Sequence, residues 1–250
     1  MADHSQPSYS LTDTKPAIRP ITVFISMFGI FAGAIIGLYM LPDWLPWLNQ
    51  SIAGAQPKVF WYLARGSAVI AYLLLWFTMV LGVTVTNKLV MKWPGLAKSN
   101  ELHQYLSILG LSFGLFHGLV LLGDQFMNFS LWQIFVPFST VSYRPLIVGL
   151  GQLGFYAWLV LVISFYVRKK IGAKGWRKIH FASYFTFLAV LVHAIIGGTD
   201  ASLPWMQLVY WITGGLLLFF TIYRILYEID QKRERKERQQ EQIAISANNR

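Results

Sequence analysis

The sequence predicts an all-α integral membrane protein, a six-transmembrane-helix bundle with its N and C termini cytoplasmic. Three observations predict it. The chain is 55% hydrophobic and only 13% charged, with positive mean hydropathy, which is not the balance of a soluble domain. Apolar runs of about 20 residues, the length a helix needs to cross a bilayer, recur six times. Lysine and arginine crowd alternate connections between those runs, as the positive-inside rule requires of an even number of spans.

Residues 1–20 read as a cytoplasmic leader. The first run, Ile21 to Leu41, is expected to be a retained helix and not a signal peptide. Its leader holds two acids against two bases, the run is too long for an h-region, and no small-x-small cleavage site follows. Pro42, Pro46 and Pro57 punctuate the first outer connection. The second run is Val59 to Thr86, and the sequence WPG at Trp93 to Gly95 breaks the inner connection after it. The third run is Leu102 to Gly123. The stretch QFMNFSLWQIFVPFSTVSYRP that follows is aromatic and too interrupted to span, so it is expected at the interface. The remaining runs are Leu146 to Val167, Ile179 to Gly197 and Trp205 to Tyr227. Together the runs make one domain, 21–227. The tail, 228–250, has dense mixed charge and is expected to prolong the last helix into water before fraying.

Lysine and arginine fall at Lys15 and Arg19 in the leader, at Lys88, Lys92 and Lys98 in the second connection, in RKKIGAKGWRK in the fourth and in KRERKER in the tail. This distribution explains the net charge of +10 without nucleic acid, because no basic surface with interleaved aromatics exists outside the membrane. The tail reads as a topology determinant or a contact for anionic membrane lipid. Cysteine is absent, which excludes disulfides, iron–sulfur clusters and thiol chemistry.

Histidine is scarce, with five in the chain, and four of them bracket two runs: His103 and His117 on the third, His180 and His193 on the fifth. A polar ring in hydrocarbon is costly and marks function. Separations of 14 and 13 residues correspond to roughly 20 Å of rise at ~1.5 Å per residue. Both runs leave the cytoplasm in the same direction, so His103 and His180 share an inner level, and His117 and His193 an outer one. Fourteen residues return His117 to within roughly 40° of His103 around the helix, with Gly110 midway on that face. Gly110 either leaves room for a flat macrocycle or serves helix packing. Thirteen residues leave His193 about 140° from His180 in a straight helix, so the fifth run is expected either to be irregular or to begin near His180.

A structural zinc gathers four ligands at one point, and these ligands fall on two levels. A facing His–His pair suits the two axial positions of a haem iron, which is then coordinatively full and passes electrons. The alternatives are four unrelated polar contacts in a structural scaffold, or transient ion binding in a metal or proton transporter.

With this pattern the chain resembles the ferric reductase-like transmembrane domain superfamily. That group includes ferric reductases, the membrane half of NADPH oxidases and the haem subunit of the bacterial methionine sulfoxide reductase system. The resemblance covers about Phe60 to Tyr223. It rests on the histidine spacing and, more modestly, on LARGSA at Leu63 to Ala68, LHQYLS, LFHGLVLL and GWRKIHFASY. It implies two b-type haems, an inner one on His103 and His180 and an outer one on His117 and His193. By analogy with NADPH oxidases, Arg65 would lie beside the outer haem. An arginine there needs an anion, and a haem propionate provides one; snorkelling to lipid phosphate is the alternative. Arg177 and Lys178 could meet inner propionates, or simply belong to the basic connection.

Ferric reductases and NADPH oxidases usually continue into a flavin and nicotinamide module. Only about 23 residues follow the last run here and no G-x-G-x-x-G follows a strand. Whether flavin binds is left open. The expected function is a dihaem b-type cytochrome, an oxidoreductase component that takes electrons from a cytoplasmic flavoprotein reductase or a membrane quinol. The outer acceptor is open: ferric iron, oxygen, or a periplasmic methionine sulfoxide reductase. A bacterial inner membrane is the expected location.

Overall fold

In a computed structural model the structure describes residues 16–44, 58–87, 89, 94–124, 126–141 and 143–248. Lys15, Pro46, Pro57, Lys88, Lys92 and Trp93 lie outside them. The helices are α1 (Pro20–Trp44), α2 (Val59–Thr86), α3 (Leu96–Val120), α4 (Leu131–Phe135), α5 (Pro145–Ile171), α6 (Ala173–Phe181), α7 (Ser183–Gly197) and α8 (Pro204–Asn248). Among the described residues there is no strand, and six helical stretches are long and apolar enough to cross a membrane. Their outward faces are apolar: Phe28 is 71% exposed and Trp211 77%. Lipid is the solvent that covers such a surface without penalty.

Hydrogen bonds between distant elements show which helix ends lie together. The Ala17 N–H donates to Gln104 near the start of α3, and Tyr166 late in α5 donates to the Ile18 carbonyl. Arg224 on α8 donates to Asn87 at the end of α2. At the opposite end Arg65, early in α2, meets Asp200 beyond α7, and Tyr143 before α5 donates to the Gly197 carbonyl. The helices therefore alternate in direction. One end gathers Arg19, Lys98, Arg177 and Arg224; it is called the basic end below, and the other the far end.

The apolar core runs between these ends through Tyr72, Leu75, Met79, Leu111, Trp158 and Phe187. The closest helix pairs are α2 with α3 and α5 with α7. Helix α3 makes no comparably close contact with α6 or α7 among the described residues. The two histidine-bearing segments thus face each other across a gap.

Of three elements, the first differs from its sequence expectation and the other two follow it. Helix α3 begins at Leu96, after Gly95 at φ +97°, because its first turns are helical but polar and hydropathy marks only the part inside lipid. Helix α8 continues through the tail to Asn248 as one 45-residue element, with Arg233–Glu237 and Glu234–Arg238 pairs one turn apart along its exposed face. The fifth run is two helices. Gly172, at φ +80°, turns the chain from α5 into α6, a backbone conformation that glycine adopts without strain. Helix α6 then ends at Phe181, and the Ala182 N–H closes a tight turn onto the Ile179 carbonyl at 2.9 Å. That turn resets the rotation between His180 and His193, so the 140° offset of a straight helix does not apply.

The aromatic connection also differs. Helix α4 opens with a capping box between Ser130 and Gln133. It does not simply lie along the far end. Gln152 Nε2 donates to the carbonyls of Gln133 (2.7 Å) and Ile134 (2.8 Å), and the Tyr156 hydroxyl donates to that of Phe135. Gln152 and Tyr156 stand two to three turns inside α5, so the end of α4 dips into the bundle. Carbonyls at a helix end need donors where water is scarce, and here α5 supplies them. Gln152→Leu removes the donor to two carbonyls; it is expected to cost about 1–3 kcal/mol, read as a lowered thermal unfolding midpoint of the purified protein.

Candidate functional site: two histidine pairs in two cavities

Each level of histidines lines its own cavity. His117 and His193 face a space of about 270 Å³ at the far end. His103 and His180 face one of about 600 Å³ at the basic end. Trp158 of α5 lines both and so stands between them.

Three of the four rings are held by the same joint. His103 Nδ1 lies 2.9 Å from the Thr78 carbonyl, His117 Nδ1 2.8 Å from that of Ala64, and His193 Nδ1 2.8 Å from that of Ile147. A carbonyl oxygen can only accept, so Nδ1 carries the proton and donates. A neutral ring then keeps its lone pair on Nε2. Such a bond from the other ring nitrogen to a carbonyl is the usual way a metal-binding histidine is oriented.

The residue one turn after each accepting carbonyl is small: Gly82 after Thr78, Ala68 after Ala64, Gly151 after Ile147. At two of these the reason is direct. A Cβ on Gly151 would lie 2.5 Å from His193 Nδ1, and one on Gly82 would lie 3.2 Å from His103 Cε1. His180 is held differently, stacked on Trp176 with centroids 5.0 Å apart and 27° between planes. Its Nδ1 is buried and has no partner.

Across the basic-end cavity the His103 and His180 ring centroids are 6.1 Å apart. An imidazole nitrogen meets a first-row metal at about 2 Å, so two rings on opposite sides of one ion have centroids about 6 Å apart. Among the described residues no three His, Asp or Glu side chains converge on one point. His103 and His180 line one cavity, and His117 and His193 the other.

No protein-family model, curated protein or solved structure matches this chain.

Arg65 lines the far-end cavity with His117 and His193, the level at which the sequence places it. Its anion within the protein is Asp200. Arg65 Nε donates to Asp200 Oδ2 at 2.6 Å and Nη2 donates to Oδ1, while the guanidinium lies 4.1 Å from the Trp61 ring centroid. Gly110 lines neither cavity. The room beside it is filled by Trp158, whose Cη2 would be 2.5 Å from an added Cβ. Arg177 lines the basic-end cavity, whereas Lys178 does not.

Sequence reading missed Gly82, Gly151, Trp158, Trp176 and the pairing of Arg65 with Asp200. Trp176 carried a usable signal, because it stands one helical turn before His180. The others depend on contacts between distant parts of the chain.

Proposed function

We propose that the protein is a dihaem b-type membrane cytochrome of ferric reductase-like type, carrying electrons between its two faces. The observation that carries the reading is the pairing of four histidines into two cavities, with Nε2 left as the lone-pair nitrogen of the three rings held through Nδ1. Bound haem at each level would supply a one-electron iron couple. His103 and His180 would hold the haem at the basic end, and His117 and His193 the one at the far end.

The chain's own residues do the positioning. The Thr78, Ala64 and Ile147 carbonyls fix the tautomer and aim of His103, His117 and His193 and raise the basicity of the ligating nitrogen. Trp176 keeps the His180 ring upright by stacking. Trp158 separates the two levels. Arg65 and Asp200 tie α2 to the α7–α8 connection at the rim of the far cavity.

By the positive-inside rule the basic end is cytoplasmic, so both termini are cytoplasmic and the far end is outer, in what we take to be a bacterial inner membrane. Electrons would enter from a cytoplasmic flavoprotein or a membrane quinol and leave to an outer acceptor, either a small oxidant or a periplasmic reductase subunit. Outward electron movement is favoured by an inside-negative potential, by about 2.3 kcal/mol per charge per 100 mV across the full field.

Single alanine variants test the pairing. His103→Ala and His180→Ala should lose the same haem, His117→Ala and His193→Ala the other, each leaving about one haem per chain by pyridine haemochrome assay. Loss of both haems from every variant, or of neither, would contradict two independent axial pairs.

A further inference from the structure

The two cavities differ in the polar groups they leave without partners. Among the described residues, the unpartnered buried atoms lining the far-end cavity are acceptors, Asp124 Oδ2 and Gln152 Oε1. The cation there, Arg65, is already matched by Asp200 on two oxygens. At the basic end they include donors. Gln104 is 7% exposed and Trp176 9%, both line the cavity, and neither Gln104 Nε2 nor Trp176 Nε1 has a partner. The Gln104 amide is not free to turn over, because its Oε1 accepts the Ala17 N–H at 2.9 Å. Two cations complete the wall, Arg177 and Arg224. Arg224 gives Nη1 to Asn87 Oδ1 at 3.2 Å and Nη2 to the exposed Glu228 at 2.5 Å.

Buried N–H groups without acceptors cost about 1–3 kcal/mol each, and natural proteins leave few of them. Two such groups beside two arginines call for an anionic acceptor. We infer that the basic-end cavity is a carboxylate cradle, in which Gln104, Trp176, Arg177 and Arg224 receive the propionate groups of the haem held by His103 and His180. The inference rests on the dihaem reading and adds to it an orientation: the carboxylate edge of this haem faces the basic end. Arginine is suited to the task because it stays charged and presents paired donors.

The cradle has an electrical consequence. Reducing the iron adds one electron and no compensating charge, so nearby cations and N–H donors favour the reduced form. Removing one lowers the midpoint potential of that haem alone. Arg224→Gln and Trp176→Phe are the variants to make in the full chain. The second keeps an aromatic ring for His180 to stack on and deletes the N–H together with the smaller ring of the indole.

Potentiometric titration should resolve two components, and the one absent from His103→Ala is the basic-end haem. Both variants should keep two haems per chain. Arg224→Gln should lower the basic-end component by up to about 59 mV, a tenfold change in a one-electron equilibrium, and Trp176→Phe by less. The other component should stay in place. Haem dimethyl ester, whose carboxylates are blocked, should bind the basic-end level of the wild type more weakly than haem does, and Arg224→Gln should narrow that difference. Two haems with unchanged potentials in both variants, or the ester bound there as tightly as haem, would overturn the cradle and leave the dihaem reading standing. A wild-type chain without haem would remove both.

Discussion

Gly151→Ala is expected to lose the far-end haem and keep the one at the basic end. The added methyl carbon would sit 2.5 Å from His193 Nδ1 and 2.7 Å from its Cε1 and Cγ, distances real Cβ atoms do not tolerate. The ring must move, and moving it breaks the Nδ1 bond to the Ile147 carbonyl one turn earlier. A misplaced ring would matter more than its packing energy suggests, because in the proposed reading His117 and His193 would hold one haem together. Gly82→Ala is the matched control. Its methyl would approach His103 Cε1 only to 3.2 Å, a contact that a few tenths of an ångström relieve. Haem content should fall from two to about one per chain in Gly151→Ala and remain two in Gly82→Ala. Equal loss in both would show that the glycines act through general helix packing.

Trp158→Ala should be the most destabilising single change in the core. The indole is 4% exposed, packs against Gly110 of α3, and donates Nε1–H to Ser107 Oγ at 3.1 Å. It is the side chain that keeps the two cavities apart. Truncating a buried tryptophan costs about 3–5 kcal/mol where the surroundings cannot collapse, and two adjacent cavities give them little to collapse onto. Thermal unfolding of the purified protein should show a large drop in midpoint, mostly restored in Trp158→Phe. Gly110→Ala should also destabilise, through the opposite fault: about 1–3 kcal/mol of overpacking against the indole.

The six spans were legible because lipid selects on only two properties, length and apolarity, and both are written locally. The grouping of the four histidines by level was legible for a related reason. A helix converts spacing into depth at a fixed rise, and parallel runs share the same levels. Rotation around the helix was less legible. The 13-residue interval between His180 and His193 conflicts with a straight helix, and the conflict itself pointed to irregularity; the turn at Ala182 supplies it. The dip of α4 had no local signal. It depends on Gln152 and Tyr156, which belong to another helix and look like ordinary polar residues in an apolar run. Arg65 announced that it needed an anion, but Asp200 lies 135 residues away and nothing in its neighbourhood marks it as the partner. Gly110 illustrates the limit of a face argument. It does lie between the two histidines, yet the room it leaves is taken by a side chain from α5.

The small residues one turn beyond each accepting carbonyl show how such a site is built from inexpensive parts. A helix carbonyl already bonded along its own axis retains a second lone pair. A histidine from the next helix can use it only if the side chain one turn on is out of the way. Gly82, Ala68 and Gly151 provide that clearance on two different helices, α2 and α5. The two cavities are in this sense repeats of one joint, placed at two depths.

The central claim is that the chain carries two b-type haems, one at each level. The most direct measurement is a dithionite-reduced minus oxidised absorption spectrum of the purified full-length protein, made with haem in ample supply and combined with a pyridine haemochrome count. Sharp b-type bands at about two haems per chain are the predicted result. A folded chain with no Soret band would contradict the account and assign the four histidines to reversible ion binding.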